Sequence, residues 1–104
     1  MPTFLITYHG GGGMPTEPAA QQQMLSAFQA WAASTGDSMV DPGAPLGPSK
    51  AVTSDGVTDG PATGSVGGYT LLRADSLDDA VALVKNHPFV GRGGTLQVSE
   101  AVSP

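Results

Sequence analysis

A chain of 104 residues has room for one domain and one core, and a domain of that size keeps much of its surface wet. An apolar content of 39% fits a globular protein, while 15 glycines and 9 prolines predict long irregular connections. The net charge of -5 comes from nine acids against four scattered bases, Lys50, Arg73, Lys85 and Arg92, which excludes a basic stripe able to track nucleic acid. With no cysteine there is no disulfide framework, thiolate metal site or cysteine nucleophile, and a reducing compartment, the cytoplasm, is the expected location. The longest apolar runs, such as Ala80 to Val84, are far too short to span a bilayer, so no membrane partner is expected.

Thr3 to His9 alternates in residue type, with Phe4, Ile6 and Tyr8 on one face and Leu5, Thr7 and His9 on the other, as in a strand. The glycines Gly10 to Gly13 end it. Thr16 is the expected N-cap of a first helix, with Pro18 in its first turn and Met24, Leu25, Phe28, Trp31 and Ala32 as its apolar stripe. Gly36 is placed to end that helix. Met39 to Asp41 reads as a short strand stopped by Pro42-Gly43, and Ala44 to Pro48 as a loop. A small hairpin follows over Ala51 to Thr58, expected to turn at Asp55-Gly56 in a type I′ turn.

Tyr69 to Ala74 is the next strand. Ser76 caps a second helix with Asp79 in the capping-box position, Leu77, Ala80, Val81 and Val84 as its buried stripe, and Pro88 beyond its end. Thr95 to Ala101 is the last strand. The order is therefore strand, helix, strand, hairpin, strand, helix, strand, an α+β domain in which two helices cover one face of an antiparallel sheet. The other face carries Leu5, Thr7, His9, Tyr69, Leu71, Arg73, Thr95, Gln97 and Ser99. That set is too polar for a dry core and too apolar for open water. A second sheet across a wet cleft satisfies both demands, which predicts a homodimer.

Several pieces of the chain occur together in a familiar order: Phe4 to Gly11, Asp41-Pro42-Gly43 to Leu46-Gly47-Pro48, Val57 to Pro61, Gly67-Gly68-Tyr69, Asp75 to Ala80 and Gly93 to Val98. In these the chain resembles the YCII-related family, in its DGPF branch, over nearly its whole length. The resemblance implies a single YCII-like domain over residues 1–104, with a ferredoxin-like βαββαβ fold plus an extra hairpin, dimerising face to face into an α+β barrel. Ala62 stands where the branch has a phenylalanine after Asp59-Gly60-Pro61. Some relatives carry a histidine–aspartate dyad for acid–base or lyase chemistry. Here an alanine of Pro18-Ala19-Ala20 stands at the histidine position, and His87, before Pro88-Phe89-Val90, at the aspartate position.

Two histidines are the candidate catalytic groups. His9 ends the first strand beside glycines that would admit a ligand, and a histidine there could be poised for acid–base work; the alternative is a cleft histidine satisfied by hydrogen bonds. His87 follows the second helix, whose C-terminal dipole would favour its charged form; the alternative is a residue that caps carbonyls. Thr7, Asp41, Tyr69 and Arg73 are the candidate ligand-binding residues. Arg73 suits a small carboxylate or an intersubunit ion pair, Asp41 a ligand or an Asx-type turn, and Tyr69 packing with one wet end. No spacing supports a metal site, and no cofactor is expected. The expected function is small-molecule binding in the cleft of a homodimer, the alternative a lyase or isomerase acting on a small ring or acid through His9.

Overall fold

The computed structural model of the chain describes residues 1–10, 16–62 and 64–102. It is an α+β structure. Strands β1 (Thr3–Gly10), β2 (Met39–Pro45), β5 (Gly68–Arg73) and β6 (Gly94–Ala101) form one antiparallel sheet in the order β2-β5-β1-β6. Strands β3 (Lys50–Thr53) and β4 (Gly56–Asp59) form a separate hairpin. Helices α1 (Pro18–Thr35) and α2 (Leu77–Val84) and the short α3 (Pro88–Gly91) complete it. This arrangement is compatible with a ferredoxin-like α+β fold. Among the described residues no helix is long and apolar enough to cross a membrane.

Strand register decides which side chains share a face. Phe4 pairs with Leu72, and Ile6 pairs with Thr70 and Val98. Phe4, Ile6, Thr70 and Leu72 are fully buried, and Trp31, Ala80 and Val84 close over them from α1 and α2. The Trp31 indole N–H donates to the Leu83 carbonyl at 2.9 Å, tying the two long helices together above the sheet. The expected core residues Phe4, Ile6, Leu96 and Val98 all lie on this side. The molecule measures 44 × 42 × 20 Å, and its radius of gyration of 14.9 Å exceeds the ~13 Å of a compact chain this long. It is a slab of one helical layer on one sheet, and among the described residues no helix lies on the second sheet face.

The structure corrects five local expectations. The residue that caps α1 is Glu17, not Thr16, and its side chain makes no capping bond. Leu25, counted in the apolar stripe of α1, is 50% exposed, and only Trp31 and Thr35 of that helix are buried. Strand β2 continues through Pro42-Gly43 to Pro45, because two register shifts absorb the proline. At Gly43 the φ is +76° and the backbone runs so close to β5 that an added Cβ would lie 1.8 Å from the Tyr69 carbonyl oxygen. The hairpin turns at Ser54-Asp55, with Thr53 opposite Gly56. Neither turn residue has positive φ, so the turn is not type I′; Gly56 alone takes that role, at φ +136°. Finally, Pro88 does more than stop α2: it opens α3, with His87 as the capping residue. As expected, Ser76 caps α2, its Oγ accepting from the Asp79 N–H at 3.1 Å.

Candidate functional site

The two histidines lie on opposite faces of the sheet. His87 is 4% exposed and sits in an aromatic box. Its ring centroid is 4.3 Å from Trp31, 5.1 Å from Tyr8 and 5.7 Å from Phe28. Both ring nitrogens are engaged. The Phe89 N–H donates to Nδ1 at 3.0 Å, so Nδ1 holds the lone pair and Nε2 carries the proton. Nε2 then donates to the Tyr8 hydroxyl at 2.8 Å. Tyr8 passes its own proton to Thr70 Oγ1 at 2.7 Å, and Thr70 donates to the Pro42 carbonyl at 2.9 Å. These hydrogens are assigned from the partners, and the partners allow one direction only.

The result is a closed chain running from α3 through the core to the bulge of β2. Burial lowers the His87 pKa to about 4 and raises that of Tyr8, the latter partly offset by the Thr70 hydrogen bond. The expected influence of the α2 dipole is therefore not what sets the charge of His87: the ring caps the N-terminus of α3 and is neutral at pH 7. As a group with no free nitrogen and almost no exposed surface, it has no place for a ligand in this arrangement.

His9 faces the uncovered side and is half-buried. The Ser65 carbonyl lies 3.1 Å from its Nδ1, and since a carbonyl only accepts, Nδ1 carries the proton. In the neutral ring Nε2 then accepts from the Thr7 hydroxyl at 2.8 Å. The two histidines are thus fixed in opposite tautomers. The Ser65 loop is itself held to the strand: the Gly67 N–H donates to the Tyr8 carbonyl at 2.7 Å, and the Leu46 N–H to the Gly67 carbonyl at 2.9 Å. A hollow of about 310 Å³, lined in part by Leu46, Pro61, Ser65 and Val66, opens beside this loop. Gly11 to Gly13, which follow His9, lie outside the described residues.

Cross-strand pairing places Tyr69 opposite Thr7, Leu71 opposite Leu5, Gln97 opposite Thr7 and Thr95 opposite His9. Thr7, His9 and Tyr69 therefore form one contiguous group. Arg73 pairs with Thr3, six residues along β1 from His9. At ~3.3 Å per residue that is about 20 Å, so one small molecule on a single chain does not span both. The Arg73 Nε instead donates to the Asp37 carbonyl at 2.9 Å. Asp41 Oδ1 accepts from the Gly43 N–H at 2.8 Å, the Asx turn that stabilises the bulge. Among the described residues no three His, Asp or Glu side chains converge as a metal site requires. The larger hollow, about 480 Å³, lies between α2, α3 and β6; it is apolar except for Lys85 and Thr95, and Leu77, assigned to the buried stripe of α2, borders it 46% exposed.

No protein-family model matches the chain, and no curated protein matches it. The geometry itself therefore carries the functional reading. Sequence reasoning had not singled out Tyr8, Thr70 or Ser65. Tyr8 and Thr70 were legible only as strand positions facing the helices. Ser65 lies in an irregular loop and acts through its backbone, which leaves no side-chain signal. For His87 a signal existed: a residue directly before a proline that opens a helix is a capping position.

Proposed function

We propose that the uncovered sheet face is closed by a second copy of the chain, in a ferredoxin-like, face-to-face α+β barrel of the YCII-like kind, and that the cleft between the sheets binds a small molecule around Thr7, His9 and Tyr69. The observation that carries this reading is the composition of that face. Leu5, 36% exposed, lies directly opposite the half-buried Leu71, and the pair runs into Thr7, Tyr69 and His9 with no helix among the described residues above it. Apolar surface so arranged favours contact with another surface, and the polar groups at its end favour a wet cleft over a dry seam. The strand order β2-β5-β1-β6 suits the YCII-like reading, which otherwise rests on the order of the sequence motifs.

One observation favours the alternative of acid–base catalysis on a small ring or carboxylate compound. The Ser65 carbonyl fixes the His9 tautomer so that the basic nitrogen points along the open face, where a ligand displacing the Thr7 hydroxyl would meet a positioned base. A histidine oriented by a carbonyl and paired with a hydroxyl has the parts of a proton-transfer site.

The test is a thermal-shift screen of small carboxylates and small cyclic metabolites on the wild type, His9→Ala and Thr7→Val. Compounds that raise the wild-type melting temperature and lose that effect in both variants place the site. Hits that persist in both variants put binding elsewhere and remove His9 from the account. Turnover of a hit by the wild type and not by His9→Ala selects the catalytic reading over simple binding.

A further inference from the structure

The buried chain has no part in the proposed cleft, yet each side-chain polar atom in it has a hydrogen-bond partner. We propose that His87 is an acid-operated latch: its protonation uncaps α3, breaks the run of hydrogen bonds through Tyr8 to the β2 bulge, and loosens the helical layer from the sheet. The latch is built from one chain alone and does not depend on the open face binding anything.

The hydrogen bonds of the buried chain can run in one direction only. A second proton on His87 can enter only at Nδ1, which already accepts the Phe89 N–H that caps α3. Two N–H groups cannot share one line, so the charged ring must give up the cap or turn. Turning withdraws Nε2 from Tyr8, which leaves the Tyr8 and Thr70 hydroxyls to find new partners in a buried space.

Among the described residues the surroundings offer no countercharge. α1 presents Phe28 and Trp31, β1 presents Tyr8, and α3 presents the Phe89 amide; β5 and β2 are linked to the ring through Thr70 and the Pro42 carbonyl. Tyr8 alone of these titrates, and burial keeps it neutral far above physiological pH. Among the described residues no carboxylate pairs with His87. The nearest charged residues along the chain, Lys85 and Arg92, are cations and are exposed. Arg92 also lies over the Phe89 ring at 5.7 Å, which adds to the positive field at α3. The Trp31 face gives an imidazolium some cation–π attraction, but that replaces neither the lost cap nor the lost hydration.

The same strand carries the effect across the sheet. The Tyr8 side chain is a link of the buried chain, and its carbonyl holds Gly67 in the loop whose Ser65 carbonyl positions His9. A shift of Tyr8 is therefore felt at His9, although the two side chains point to opposite faces.

Trp31 is the one tryptophan of the chain and lies in ring contact with His87, so its fluorescence reads the latch directly. Wild type, His87→Asn and His9→Asn would be titrated from neutral to acid pH by Trp31 fluorescence and near-ultraviolet dichroism, with ring and amide signals followed by NMR. Asparagine keeps a good N-cap for α3 and removes the titrating ring. The expected result is a reversible loss of tertiary signal below pH 6 in the wild type and His9→Asn. His87→Asn lacks it or shifts it by about one pH unit or more. In the wild type the Phe89 amide moves together with the His87 ring as that ring titrates, and this readout decides the matter should His87→Asn not fold. An unchanged transition in folded His87→Asn overturns the proposal. So does a His87 ring that titrates like an exposed histidine while the Phe89 amide stays still.

Discussion

The two faces of the sheet use the same ingredients to opposite ends. On the helix side a histidine, a tyrosine and a threonine satisfy one another completely and leave nothing for a ligand. On the bare side a histidine and a threonine are paired, but half-exposed, at the end of an apolar strip that no helix among the described residues covers. Residue type does not separate a structural histidine from a candidate functional one. Exposure and the kind of partner do: His87 has both nitrogens tied inside the core, whereas His9 is half-exposed and held by the Ser65 carbonyl and the Thr7 hydroxyl.

The contrast can be broken most forcefully at neighbouring leucines of β5. Leu72 is fully buried and Leu71 faces the open side. Leu72→Ala is expected to cost about 3 kcal/mol in urea unfolding, whatever the protein concentration. Leu71→Ala is expected to leave the diluted single chain within about 1 kcal/mol of wild type. Comparable losses for both would mean that the two faces are not distinct.

Acid gives the next largest effect. The folded pKa of His87 is lowered to about 4 from the ordinary 6.5. Between those values the unfolded chain binds a proton that the folded chain refuses, so stability rises with pH there. The contribution is complete above about pH 6.5 and falls away on acidification, levelling off below pH 4, with a total of at most about 3 kcal/mol. Denaturant titrations at stepped pH check this, with His87→Asn as the control that flattens the added slope.

Tyr8→Phe removes the hydroxyl that joins His87 to Thr70 and is expected to cost about 2 kcal/mol by equilibrium unfolding, because two buried polar groups each lose a partner. The smallest effect belongs to the open face. Thr7→Val and His9→Ala are each expected to change unfolding free energy by no more than about 1 kcal/mol, with His9→Ala leaving the acid response intact.

Much of the fold was legible because alternation and helical stripes state the faces of elements directly. Phe4, Ile6, Leu96 and Val98 could be placed under the helices from their spacing, and the helix start at Ser76 from its capping chemistry. What escaped the sequence depended on partners far along the chain. Strand β2 runs through Pro42 because Gly43 can approach the Tyr69 backbone and Asp41 can close the turn, and neither fact is local. The hairpin turned one residue earlier than Asp55-Gly56 because the strand residue, not the turn, took the positive φ. His9 could be nominated from its strand end and neighbouring glycines, but its tautomer depended on a carbonyl 56 residues away. His87 was misplaced electrostatically because its burial comes from α1, which no nearby residue announces.

The claim that the bare face is closed by a second copy is tested most directly by sedimentation equilibrium at micromolar concentration, on the wild type and Leu71→Asp. The wild type is expected at twice the 10.4 kDa of one chain, and Leu71→Asp at 10.4 kDa with unchanged far-ultraviolet dichroism. A wild type that sediments as a single chain, or a Leu71→Asp variant that stays paired, would contradict it.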